Sequence, residues 1–276
     1  MSLANSIASY TRRPTLQLWL YGRRVLGVVR ASIDATFGQG IASATVDLRD
    51  PPVTPRPGMP IRWSWGYNGY VVPGFTGYVV TPEHTSYPDG WSLNCQDVLW
   101  LASREEGPIA TDPLNDITAQ AAIQYILATY AGLTQVAIPV IRLTPGGPAW
   151  TLGTLTPVSW ERSTALAACQ EIAQTAGYWL AADSGGTVRA RLMERRPSSS
   201  PLRTFRRGID LLLAAPPARQ SPGDQVRNRI TVRGANTGVE GAQLVDTFLA
   251  PHALYAGVVA DLEYNSSLLE VIDDVT

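Results

Sequence analysis

His84 and His252 are the only histidines in this 276-residue chain, and Cys95 and Cys169 are the only cysteines. That is little material for nucleophilic or metal chemistry. His84 sits in Pro82-Glu83-His84-Thr85 with Asp89 close behind, so an acid–base pair or half a metal site can be imagined there. A zinc site needs about four ligands at disciplined spacing, and the chain lacks that pattern. His252, in Ala250-Pro251-His252-Ala253, is equally isolated, so both read as solvated or hydrogen-bonded loop side chains. No GxSxG elbow, phosphate-binding loop or HExxH helix is present. Gly38-Gln39-Gly40 is followed by Ser43 where a third glycine would stand, and reads as a turn between strands. Asp97, Glu105, Glu106 and Asp183 could serve a glycosidase only if two of them converged in space, which spacing does not show. No catalytic, cofactor-binding or metal-binding residue is assigned.

Aromatic residues make the stronger cluster. Trp63, Trp65, Tyr67 and Tyr70 crowd one stretch around Gly66-Tyr67-Asn68-Gly69, which reads as a hairpin. Alternation along a strand puts Trp63 and Trp65 on one face. Three readings stay open: core packing, a protein interface rich in the aromatics that dominate binding hot spots, or a platform on which sugars stack. The four residues are the candidate partner interface.

The elements that would position these residues follow from pattern. Leu16, Leu18 and Leu20 alternate with Thr15, Gln17 and Trp19, the period of a half-buried strand. Tyr21–Arg24 reads as a turn, followed by strands at Val25–Asp34 and Ile41–Asp50. Pro51–Met59 carries four prolines and is a loop. Strands then fit Ile61–Trp65, Tyr70–Val72, Phe75–Thr81 and Trp91–Gln96, so the first hundred residues suggest a barrel or sandwich. The middle is helical: one helix runs to Tyr130 from a cap at Asn115 or Asp116 and stops at Gly132. A second runs from a cap at Ser159 to Ala176 and Gly177. A hairpin at Tyr178–Leu192 turns through Asp183–Gly186. RRPSSSP at 195–201 is the best linker, and Asn228–Gly234 is a short strand. NSSLLEVIDDVT at 265–276 reads as a helix that stops without a cap, so the natural chain is expected to continue.

Composition narrows the function classes. Hydrophobic residues make up 45% and charged residues 16%, against about 25% charged in an average soluble domain. Part of such a surface suits burial against neighbours, although a polar uncharged surface is an equal reading. The net charge is −1, so nothing pulls the chain as a whole toward nucleic acid or anionic membranes. All 22 basic residues are arginine; forked interface contacts or a GC-rich genome would explain that, and the abundant Ala, Gly and Pro favour the genome. The two cysteines read as small buried hydrophobes of a reducing compartment, with pairing left open. MSLANSIASYTRRP lacks the apolar core of a secretion signal, and the longest apolar run, Leu211–Ala215, is too short for a bilayer. A soluble protein made in a cytoplasm is expected.

The order of three segments resembles a known family. Gly58-Met59-Pro60-Ile61-Arg62-Trp63, then Gly74-Phe75-Thr76-Gly77-Tyr78-Val79-Val80, then Trp91 through Leu101 are similar to the N-terminal barrel of phage tail hub proteins. That family includes the late control D proteins of contractile tails and their counterparts in long flexible tails and secretion spikes. The helix at Ile117–Tyr130, the segment Pro157–Glu161 and Ala176-Gly177-Tyr178 continue the likeness, and Asn228–Gly234 looks like the strand opening the family's second barrel. The resemblance implies an α+β, β-rich chain of tail-tube-like β-barrel domains with an α+β insertion. The barrel would span 1–104, the two helices and hairpin 105–200, and the start of a second, incomplete barrel 201–276. It implies no enzyme. The expected role is structural: a homotrimeric tail-tip or baseplate hub of the virion, assembled in the host cytoplasm. A distal tail or tail-tube protein would sit above it and a spike, fibre or tape-measure protein below. DNA would pass through unread during genome ejection, without stable membrane insertion. A tail-borne cell-wall hydrolase using Asp97 and Glu105, a carbohydrate-binding module using Trp63 and Trp65, and a sixfold distal tail protein are the alternatives.

Overall fold

The computed structural model describes residues 14–34, 40–67, 69–86, 89–144, 146–192, 229–236, 243–249, 261–265 and 268. His252 and the linker at 195–201 lie outside them. The chain divides into two compact units, the first comprising 1–152 and 157–191, the second 153–156 and 192–276.

The first unit is built on a seven-stranded antiparallel sheet. Its strands are β1 (Pro14–Leu20), β2 (Arg23–Val25), β3 (Val28–Asp34), β4 (Ser43–Leu48), β5 (Pro60–Tyr67), β6 (Tyr70–Ser86) and β7 (Asp89–Asp97). Their order is β2-β1-β5-β6-β7-β4-β3. Leu18 and Leu20 on β1 turn inward as their alternation predicts. They join Ile61, Trp63, Phe75, Val79, Leu93, Cys95, Val46 and Leu48 in one apolar core on a single face of the sheet. The β1–β2 turn is Tyr21-Gly22 with φ of 49° and 75°, two left-handed residues that match the twist of a two-residue hairpin loop. Among the described residues β2 does not pair with β3, so the ladder is open. The sheet nonetheless curls on itself, because β1 and β3, five places apart in its order, line one cleft. The tube-like barrel expected from sequence is thus an unclosed one.

The rest of this unit holds α1 (Trp100–Ser103), β8 (Glu106–Leu114), β9 (Ile117–Thr118), α2 (Ala119–Ala131), β10 (Val136–Ala137), β11 (Thr151–Leu152), β12 (Val158–Thr164), α3 (Ala165–Thr175), β13 (Tyr178–Ala182) and β14 (Val188–Leu192). Helix α2 buries Ala119, Ala122, Ile123, Ile126 and Leu127 against α3, the stripe expected of an amphipathic helix. Gly132 closes it in the left-handed conformation, as its position implies. Both helices start later than the sequence suggests. Thr118 and Thr164 are the caps, their hydroxyls accepting from the N–H of Ala121 and Ala167. Asn115, Asp116 and Ser159 do not cap because β8, β9 and β12 take the intervening chain into sheet pairs first. The β13–β14 hairpin lies on the sheet's outer face, where the Thr76 hydroxyl donates to Ser184 O at 2.9 Å.

The second unit contains β15 (Arg229–Asn236), β16 (Gln243–Leu249) and β17 (Asp261–Asn265). β15 runs antiparallel to β16 and parallel to β17. Asn265 ends a strand here; the helix expected over 265–276 otherwise lies outside the described residues, apart from Leu268.

Candidate functional site

The aromatic hairpin splits into two environments. Trp63 and Trp65 share a face, but Trp63 is 2% exposed and Trp65 is 56% exposed. Trp63 stacks on Phe75 with ring centroids 4.6 Å apart and planes 21° apart, as part of the core. Between them the pairing slips: Trp63 faces Phe75 and Ser64 faces Pro73, leaving Gly74 as a bulge. A Cβ at Gly74 would come 3.0 Å from the Trp63 ring and 3.4 Å from that of Trp65, so glycine is what lets both indoles lie over this point. Trp65 is flanked across the ladder by Leu16 and Val72, beyond the edge of the core. Tyr70, at the hairpin tip opposite Tyr67, is 87% exposed. The Tyr67 side chain lies outside the described residues.

Trp65 forms the rim of a cleft of about 370 Å³ between β1 and β3, lined by Thr15, Leu16, Ala31, Ile33, Trp63 and Trp65. Leu16 and Ile33 are 39% and 36% exposed. Leu16, Ile33 and Trp65 thus stand side by side, each partly exposed, around one cleft. Sequence periodicity identified its tryptophans; it could not find Ile33 or Leu16 as their neighbours, because that juxtaposition arises from strand order.

The candidate acids and bases are dispersed. Asp97 is buried, and its two carboxylate oxygens accept from the N–H of Ala42 at 2.7 Å and of Leu99 at 2.9 Å. Burial pushes its carboxyl up to about 6, against the pull of those two donors. It thereby pins the entry to β4 onto the entry to α1, a structural use of the side chain that leaves it no open face toward a substrate. Glu105 makes no contact with it; Glu106 pairs with Arg162 at 3.2 Å on the surface. Asp183 organises its own turn, accepting from Gly185 and Thr187 and pairing with Arg189 at 2.8 Å. His84 does meet Asp89, Nε2 to Oδ1 at 2.8 Å, with the Trp91 ring beside it. Both are exposed, and among the described residues no group of three or more His, Cys, Asp or Glu converges. Cys95 and Cys169 are free and buried, and burial pushes the Cys95 thiol up to about 12. Among the described residues no helix is long and apolar enough to cross a membrane.

No protein-family model matches the sequence, and no curated protein matches it. The fold, however, is shared with phage tail proteins. A tail protein from Neisseria meningitidis MC58 superposes with a TM-score of 0.62 at 15% identity, over 95% of this chain and 72% of that one. The 43 kDa tail protein of prophage MuSo2 from Shewanella oneidensis gives 0.55 at 14% identity, over 94% and 75%. Prophage tail protein gp18 from Listeria monocytogenes gives 0.56 at 8% identity, over 93% and 73%.

Proposed function

We propose that this chain is a structural subunit of a phage-type tail, acting at the tail tip as a hub. The observation that carries the reading is the fold likeness to three tail proteins along 93–95% of the chain. The α2–α3 segment, built into the same compact unit as the sheet, favours a hub over a ring-forming distal tail protein. In this reading the sheet of residues 1–104 is the tube-like part and 105–200 its α+β insertion, and the strands after 201 begin a second tube-like part. Three copies would join the tail tube above to a spike or fibre assembly below, and leave a channel for DNA and tape-measure protein. Tail subunits live in closed rings with large, permanent contacts, and a chain with 16% charged residues suits them. The exposed aromatic rim of Trp65 and Tyr70, beside the buried Trp63, is the surface proposed to meet a neighbouring tail protein. Asp97, held by two backbone N–H groups, speaks against the hydrolase alternative.

Antibody–gold labelling of purified tailed particles tests this. Label confined to the distal end of the tail is expected; particles that contain the protein yet label along the shaft, or not at all after opening, would overturn it.

A further inference from the structure

The β13–β14 hairpin covers only part of the outer face of the sheet, and Arg24 and Arg62 on that face stay exposed. Gly186 brings the hairpin down onto Thr76 and Val98: a Cβ there would lie 2.9 Å from Thr76 Cγ2 and 3.4 Å from Val98 Cγ1. Beside that contact lies a pocket of about 150 Å³ bounded by Val98, Tyr78, Thr76, Arg62, Trp19 and Gly22. Small-molecule sites begin at roughly 300 Å³, so this pocket has room for a side chain and not for a free metabolite.

Its charge is of one sign. The Arg62 guanidinium lies over the Trp19 ring, 5.0 Å from the centroid. Trp19 stands opposite Arg62 on β5 and opposite Arg24 on β2, so one row across the face reads Arg24, Trp19, Arg62. Among the described residues neither arginine has a carboxylate partner, and no acid borders the pocket. Asp97, next to Val98 in the chain, commits its oxygens to the N–H groups of Ala42 and Leu99. A guanidinium stacked on an indole keeps its in-plane fork of N–H donors free. Beside apolar walls, such a fork suits a carboxylate on an apolar stem. Every residue around the pocket is described. Pro14, where the described chain begins, pairs with Tyr67 at the opposite end of β1, about 20 Å away at roughly 3.4 Å per residue.

We propose that this pocket receives a glutamate side chain of a neighbouring tail protein, its methylenes against Trp19 and Tyr78 and its carboxylate on the Arg62 fork. The proposal rests on the tail-subunit reading for the identity of the partner and deepens it. Arg24 lies two strands from Arg62, about 10 Å away, within reach of a second acid on the same segment. In an extended segment, glutamates at alternate positions would face the two arginines together.

The test uses the full chain and a short, labelled, amidated peptide with two glutamates at alternate positions among serine and glycine. Fluorescence anisotropy at low salt is expected to show saturable one-to-one binding. Replacing both glutamates by glutamine should weaken it about tenfold or more, the worth of a charge-assisted hydrogen bond. Arg62→Gln should lose as much, and Arg62→Lys, which keeps the charge without the fork, should bind between the two. Arg191→Gln should lose nothing, because Arg191 lies over Trp179 at 5.8 Å in the same kind of stack outside this pocket. Equal binding by the glutamine peptide would overturn the proposal, as would equal losses in Arg62→Gln and Arg191→Gln. No binding of either peptide would overturn it too. So would self-association of the chain that Arg62→Gln abolishes, since a second copy would then fill the pocket. None of these results moves the gold label on the tail, by which the tail reading is tested separately.

Discussion

The corner at Asp97 and the gap at Trp65 lie in the same sheet and treat exposed backbone in opposite ways. At the corner, where β7 ends, a buried carboxylate takes the N–H groups of Ala42 and Leu99, and Asp97 N in turn donates to Ala42 O at 3.0 Å. Here the polar backbone groups at the element ends are matched within the fold. At the gap, Thr15, Leu16 and Ala31–Ile33 line a cleft that no described strand fills, and three large apolar side chains stand partly in solvent. Within one sheet, then, the corner is closed by buried polar contacts while the gap keeps apolar side chains partly in solvent.

Substitutions at the two places should therefore differ in kind. The largest effect is expected from Trp63→Ala, which empties the core beside Phe75 and should destabilise the first unit by about 4 kcal/mol in denaturant unfolding. A loss similar to that of Trp65→Ala would mean the core does not end between the two tryptophans. Asp97→Ala should come next, at about 3 kcal/mol at pH 4, since two buried N–H groups lose their acceptor. That difference depends on pH. The carboxyl ionises near 3.8 unfolded and about 6 folded, so unfolding releases its proton in between. The group's contribution is full below 3.8 and declines as pH rises through 6. The gap between wild type and Asp97→Ala should narrow by roughly 2–3 kcal/mol from pH 4 to pH 7; a gap that widens would show that the two donors outweigh burial. Gly22→Ala, in open space but at φ 75°, should cost about 1 kcal/mol through backbone strain alone. Trp65→Ala should change stability by less than about 0.5 kcal/mol while reducing binding of an apolar dye; unchanged dye binding would remove the rim as the exposed apolar surface.

Legibility in the sequence followed the range of the interactions involved. The alternation that buries Leu18 and Leu20 and the stop at Gly132 are local and match the structure, whereas Leu16, in the same alternation, stays 39% exposed. The helix starts at Thr118 and Thr164 are not legible in the sequence, because sheet pairing with distant residues competes with capping by Asn115, Asp116 and Ser159. The sequence suggests two strands, Tyr70–Val72 and Phe75–Thr81, where a single strand β6 runs through Pro73 and Pro82 with register shifts against β5 and β7. The shared face of Trp63 and Trp65 was readable from spacing, but where the core ends along that face was not. Asp97 shows the limit most plainly: spacing does not show whether it meets another carboxylate, and only its partner Ala42, 55 residues earlier, reveals a structural pin.

The bond from the Thr76 hydroxyl to Ser184 O joins residues 108 apart in the chain. Closing a loop of that length costs about 4 kcal/mol of chain entropy before a constant is added, and contacts of such long range slow folding. The nascent sheet must therefore wait, uncovered on its outer face, until the β13–β14 hairpin has been synthesised. A ribosome stalled before Ser184 would hold the sheet without this anchor at Thr76.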